Sequence, residues 1–157
     1  MTSNIRTVAE PLTLTVDANI LVRNVSNEAG TRFVTDSALS LVITEHTFAE
    51  VVRHLTRRMS ERVAHNPVAL PPERGAVLLA RAIAVAERVA VRFSLADYAL
   101  YEERARYRVL DPDDWHTVAL ALALDLPIWT NDTHFWACGV AVWTDGSLAR
   151  HLASGFA

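Results

Sequence analysis

The chain has 157 residues, 51% hydrophobic and 21% charged, a composition that suits one globular domain with a sizeable core and excludes a disordered segment. Its formal charge is −3 and all 15 basic residues are arginine. The lack of lysine argues against aspartate-based phosphatases, receiver-type phosphoacceptors and P-loop nucleotide hydrolases, and the P-loop glycine motif is missing as well.

Leu12 to Val16 is expected as a buried strand ending at Asp17, followed by a short helical turn from Ala18 to Val25. A second helix is expected from Asn27 to Ser37, and a β-branched strand from Leu39 to Ile43. Thr44 can cap a long helix to about Val63, with Phe48, Val51, Val52, Leu55 and Met59 on one face. The proline-rich stretch Asn66–Pro72 is a connection. Helices are expected over Glu73–Ala90 and Leu95–Tyr107, with a short strand at Val89–Phe93. Asp111-Pro112 reads as the start of another helix, running to Asp125. Its Ala/Leu alternation imitates a strand, but these are strong helix formers and both faces are apolar, so a buried helix is expected. Strands at Pro127–Thr130 and Val140–Thr144 and a final helix at Asp145–Ala153 complete the chain. Alternating strands and helices predict an α/β domain with a mostly parallel sheet covered on both faces. It is read as one domain over 1–157, with its core at about 12–154.

Single Cys138 leaves no internal disulfide and no cysteine-built zinc site. The six histidines show no ligand spacing for zinc either. Met1–Pro11 lacks the apolar run of a signal peptide, and no stretch approaches the roughly 20 apolar residues of a membrane span. A cytoplasmic, membrane-free protein is the expectation.

In a parallel α/β sheet, ligands bind at the carboxyl ends of the strands. Asp17 directly follows the first strand. Asp132 follows the strand Pro127–Thr130 after one residue. Asp111, Asp113 and Asp114 stand at a helix start, and Glu50 lies in the second turn of the helix after Leu39–Ile43. Acids from four chain segments thus converge on one sheet edge. Clustered carboxylates raise one another's pKa, a conflict that a hard, oxygen-seeking cation such as Mg²⁺ removes. Such an ion polarises a phosphodiester and activates water. Plainer readings exist for each acid. Asp after a strand is a common turn residue, Asp111-Pro112 begins many ordinary helices, and Glu50 beside Arg53 and His54 suits a solvated pair. Their convergence favours the functional reading.

These residues carry a family resemblance. "LTVDANIL", with Asp17 and Asn19, resembles the first motif of PIN domains, and "VITEHTFAEVVRHL" resembles the second, with Glu50 at the acidic position. "DPDDWHTVALALALDLPIWTNDTHF" is similar to the third and fourth, with Asp114 and Asp132 as the acids and Thr130 and Asn131 beside them. The resemblance extends from Leu12 to about Asp145. It implies a three-layer α/β/α fold around about five parallel strands, and an endoribonuclease dependent on Mg²⁺ or Mn²⁺. Its catalytic and metal-binding residues would be Asp17, Glu50, Asp114 and Asp132, with Glu50 acting directly or through water. It also suggests a VapC-like toxin with a cognate antitoxin and a homodimer as partners, alongside the RNA substrate. Two positions depart from the pattern: His134 stands where relatives often carry an acid, and His116 where similar sequences often carry proline.

Arg53, Arg57, Arg58 and Arg62 cluster on one helix, and Glu50, Arg53, His54 and Arg57 share a face. Arg53, Arg57 and Arg58 are candidates for tracking RNA phosphates, against the plainer reading of a solvated face balanced by Glu61. Arg104, Arg106 and Arg108 form a second basic group. Trp129 and Trp143 are expected in the core, while Trp115 and Trp136 are further stacking candidates. Two other functions compete. One is a catalytically silent RNA-binding module on the same fold. The other is a structure-specific DNA nuclease, for which the chain lacks room for the usual DNA-guiding elements.

Overall fold

The computed structural model describes residues 10–154; residues 1–9, with most of the polar segment behind the signal-peptide expectation, and residues 155–157 lie outside the described residues. The order is β1 (Leu12–Val16), α1 (Ala18–Val25), α2 (Glu28–Val34), β2 (Leu39–Thr44), α3 (Glu45–His65), α4 (Pro72–Val89), β3 (Ala90–Phe93), α5 (Leu95–Tyr98), α6 (Glu102–Arg106), α7 (Trp115–Leu124), β4 (Ile128–Trp129), β5 (Val142–Trp143) and α8 (Asp145–Ala153). The five strands form one all-parallel sheet in the order β3-β2-β1-β4-β5.

Side chains alternate across a strand, so one strand feeds two cores. Leu14, Val16, Leu41, Ile43 and Trp129 enter a core closed by α1, α3, α4 and α8. Val42 and Ile128 enter a second core with Tyr98, Trp115 and the apolar body of α7. Two cores on opposite faces of one sheet make a three-layer α/β/α fold. The strand order matters for function. The chain winds outward from β1 through β2 to β3, then returns to place β4 and β5 on the other side of β1. The reversal falls between β1 and β4, where the crevice at the strands' carboxyl ends is the usual ligand site of open parallel sheets.

Several boundaries differ from the expected ones. Asp111 does not start α7. Its carboxylate accepts the Asp113 N–H at 3.0 Å and its carbonyl accepts the Asp114 N–H at 3.2 Å, so Asp111–Asp114 is a self-satisfied turn. The helical ladder begins with Val118 N–H donating to the Asp114 carbonyl, 3.3 Å, which makes Asp114 the N-cap of a helix starting at Trp115. The expected helix Leu95–Tyr107 is broken into α5, a 3-10 turn over Ala99–Tyr101, and α6. The break falls at Tyr98, which leaves helical backbone (φ −134°, ψ 2°) while its buried phenol hydrogen-bonds His116 Nδ1 at 2.9 Å. α2 stops at Val34, short of Ser37, and α3 runs on to His65. β4 and β5 are two residues each, shorter than expected. Their pairing is extended by Thr15 N–H to the Pro127 carbonyl (2.9 Å) and Thr130 N–H to the Trp143 carbonyl (3.0 Å). Among the described residues no helix is long and apolar enough to cross a membrane.

Candidate active site

Asp17 sits at the β1–α1 junction as the N-cap of α1 and is only 7% exposed. The hydroxyl of fully buried Thr130, just past β4, donates to Asp17 Oδ2 at 3.1 Å. The same hydroxyl oxygen accepts the Asp132 N–H at 3.0 Å. One threonine therefore ties together the two acids that follow the central strands, across the crevice where the strand order reverses.

Burial pushes the Asp17 carboxyl up to about 6; the Thr130 hydroxyl and the Ala18 amide oppose this, while the negative charges of Glu50 and Asp132 reinforce it. Asp114 is half-buried at the mouth of α7. Burial raises its carboxyl to about 7, with further upward pushes from Asp111, Asp17, Asp132 and Glu50 in that order. Asp17 and Asp114 each feel Glu50 and Asp132, so the structure brings the acids of four chain segments into one electrostatic group. Among the described residues no three carboxylate, imidazole or thiol groups already enclose a cation-sized space. The donor set is all oxygen and self-repelling, which fits a hard divalent ion rather than zinc or copper.

Glu50 is half-buried on α3, and its neighbour is His54 (Nε2 to Oε1, 3.6 Å) rather than an arginine. His54 Nδ1 is buried with no hydrogen-bond partner among the described residues. Asp132 caps the 3-10 turn Thr133–Phe135 by accepting the His134 N–H at 2.9 Å. The His134 ring lies beside it, Nδ1 3.7 Å from Oδ1, so an imidazole flanks this acid. Asn19 is exposed in the first turn of α1. Asn131 Oδ1 accepts the Asp145 N–H at 3.0 Å at the start of α8. Asp145 is a further acid on this edge, but its carboxylate is occupied by Arg23 and by the Trp129 indole N–H. That structural role was not visible in the sequence, because its partners lie far away along the chain.

Arg53 and Arg57 are exposed on the stripe of α3 that carries Glu50, as a spacing of three and seven residues dictates. Arg57 makes one loose exposed pair with Glu61, 3.9 Å. Arg58 departs from that stripe and lines a cavity of about 860 Å³ between α3 and α4 and another of about 780 Å³ that extends to α1 and α2, neither lined by any of the site acids. Trp129 is wholly buried and Trp115 nearly so, Trp143 is half-buried, and Trp136 is 59% exposed. His116 stacks between Trp115 and His46, and burial, the His46 ring and Arg106 push its pKa down to about 4.

The PIN domain family pattern matches residues 15–153. The fold is similar to that of VapBC2 from Rickettsia felis, solved bound to a DNA fragment from its promoter: TM-score 0.59, 9% identity, 85% of this chain and 98% of that one covered. It is also similar to FitAcB from Neisseria gonorrhoeae: TM-score 0.51, 20% identity, 83% and 96% covered. No protein of curated function matches the chain in sequence. With the match covering residues 15–153, and with them all four acidic stations, the chain belongs to the PIN-domain family.

Proposed function

We propose that this chain is a single-domain, divalent-metal-dependent endoribonuclease of the cytoplasm, acting as the toxin of a toxin–antitoxin pair. The observation that carries the reading is the meeting of Asp17 and Asp132 on the Thr130 hydroxyl at the strand-order reversal, with Glu50 and Asp114 close enough to interact with them electrostatically. Mg²⁺ or Mn²⁺ would be held by Asp17, Asp114 and Asp132, with Glu50 reaching it directly or through water, and would supply Lewis-acid polarisation of the phosphodiester and of the attacking water. The chain's own residues prepare that site. Thr130 sets the orientation of Asp17 and the spacing to Asp132, and the turn Asp111–Asp114 aims Asp114 inward. Exposed Arg53 and Arg57 meet the phosphates flanking the scissile one.

Cleavage of single-stranded RNA should vanish in EDTA and return with Mg²⁺ or Mn²⁺. Undiminished cleavage without divalent ions overturns the metal assignment. Metal-dependent binding without cleavage would identify a silent RNA-binding module, and preference for branched DNA would identify a DNA nuclease. Arg53→Ala with Arg57→Ala should weaken RNA binding and flatten the plot of log affinity against log salt by about 1.4, since each contact to a single strand contributes roughly 0.7. An unchanged slope would make this face merely solvated.

The resemblance to VapC-like toxins and the similarity to VapBC2 and FitAcB support a cognate antitoxin as partner. The arginines of the α3–α4 cavity, Arg58, Arg62 and Arg74, suit an acidic segment of such a partner. A small adjacent reading frame whose product co-purifies with this chain is the check.

A further inference from the structure

Beside the carboxylates, four groups are stacked in series. The Arg106 guanidinium carbon lies 4.5 Å from the centre of the Trp115 ring. Trp115 stacks on His116 at 3.8 Å between centroids. His116 in turn stacks on His46 at 3.8 Å, the two planes 12° apart. The inner members are pinned. Tyr98 holds His116 through Nδ1 at 2.9 Å. One residue further along each helix, the Thr47 and Thr117 hydroxyls meet at 3.2 Å, and Thr44 donates to Thr47 at 2.8 Å. The starts of α3 and α7 are thus fastened to each other, and His46 is held against His116 by the backbone beneath it.

The stack ends at His46. Trp115 is 4% exposed, His46 is half-buried, and among the described residues no other ring or cation packs on its second face. A packing role accounts for the inner rings, whereas His46 at the end of the series keeps part of its surface accessible. Its position is informative. His46 lies one helical turn before Glu50 on the stripe that continues to Arg53 and Arg57, and its stacking partner His116 follows Asp114 by two residues. A flat aromatic face therefore adjoins the acids on one side, and the arginines extend away on the other.

We propose that the outer face of His46 is a platform for one unpaired RNA base, extending the Arg106–Trp115–His116–His46 series by a fifth member, with the adjoining phosphate drawn to the carboxylates only once their metal is bound. The proposal rests on the ribonuclease reading and names the class of substrate: single-stranded RNA, because only an unpaired, splayed base offers its face to a side chain. Such stacking tolerates any base, so the platform sets where the strand is held and leaves sequence choice to other contacts.

The test is a coupling experiment on binding in EDTA, so that no cleavage intervenes. A short single-stranded RNA is compared with a set in which one nucleotide at a time is abasic, against the native chain, His46→Ala and His46→Phe. One abasic position should weaken native binding by about 5- to 10-fold, the low end of the loss seen when a base–aromatic stack is removed. His46→Ala should weaken binding of the intact RNA by the same factor and bind the abasic RNA no worse than the intact one. His46→Phe should restore the loss and the abasic dependence. If His46→Ala weakens intact and abasic RNAs equally, or no abasic position matters to the native chain, the platform is wrong while RNA binding stands. If none of the RNAs binds with or without Mg²⁺, the ribonuclease reading falls with it.

Discussion

Asp17→Asn should lower RNA cleavage by a hundredfold or more and, in the same protein without metal, raise thermal stability. The first effect follows from losing a charge that would anchor the metal; metal stabilisation of a transition state is worth several kcal/mol, and each ~1.4 kcal/mol is a factor of ten in rate. The second follows from the position of the carboxyl. Asp17 is nearly fully buried, has one hydroxyl donor in Thr130, and shares its surroundings with the charges of Glu50 and Asp132. An amide keeps a carbonyl oxygen to accept from Thr130 and needs no counter-charge.

The sign and the pH window follow from the raised pKa. In the unfolded chain Asp17 titrates near its ordinary value of 3.8, and in the fold at about 6. Between these values the native state binds the proton more tightly, so stability falls as pH rises through that window and is fully diminished above it. At neutral pH the ionised group costs the metal-free fold on the order of 2–3 kcal/mol, from the tenfold-per-1.36 kcal/mol relation. Asp17→Asn should therefore raise Tm at pH 7 in EDTA by roughly 5–10 °C, given 2–4 °C per kcal/mol for a chain of this size. The gain should disappear near pH 4. Saturating Mg²⁺ should stabilise the native chain and leave the variant unmoved, because only a site that binds the ion shifts the equilibrium. Melting curves at the two pH values, with and without Mg²⁺, decide this. Equal Tm at pH 7, or near-normal cleavage by the variant, would remove Asp17 from the proposed site.

The edge on which these acids meet was legible in the sequence because strand ends and helix starts are local features. Asp17 and Asp132 follow apolar runs, and a parallel sheet sends such positions to the same side. The family motifs added spacing that composition alone lacks. Long-range choices were not legible. Asp111-Pro112 serves a helix start or a closed turn equally well, and the turn prevails because Asp111 satisfies the amides of Asp113 and Asp114 itself. The break at Tyr98 depends on His116, 18 residues away. The stacking of His46 on His116 joins helices 70 positions apart, at the step where Thr47 meets Thr117. The plainer reading of Glu50, a surface ion pair with Arg53, fails on a choice the sequence could not show, since its carboxylate lies beside His54 instead, 3.6 Å away.

Asp114→Asn should cut cleavage on the order of a hundredfold, whereas Asp113→Asn should leave the rate within a factor of about two, as substitutions at ordinary surface positions do. The two neighbours differ through the turn that holds them. Asp113 is exposed, with its N–H engaged by Asp111. Asp114 comes next, at the N-cap of α7, half-buried, and burial together with the charges of Asp111, Asp17, Asp132 and Glu50 raises its carboxyl to about 7. A carboxyl that holds its proton to neutrality must release it to bind a cation, so metal affinity should fall as pH drops through 7 and each bound ion should displace protons. The Mg²⁺ concentration for half-maximal cleavage should accordingly rise steeply between pH 8 and pH 6 in the native chain and in Asp113→Asn. In Asp114→Asn that dependence should be shallower, because the carboxyl whose proton the ion must displace near neutrality is gone. Cleavage abolished by Asp113→Asn and spared by Asp114→Asn would shift the third motif by one residue, and would mean that the turn opens on metal binding to exchange which carboxylate faces inward.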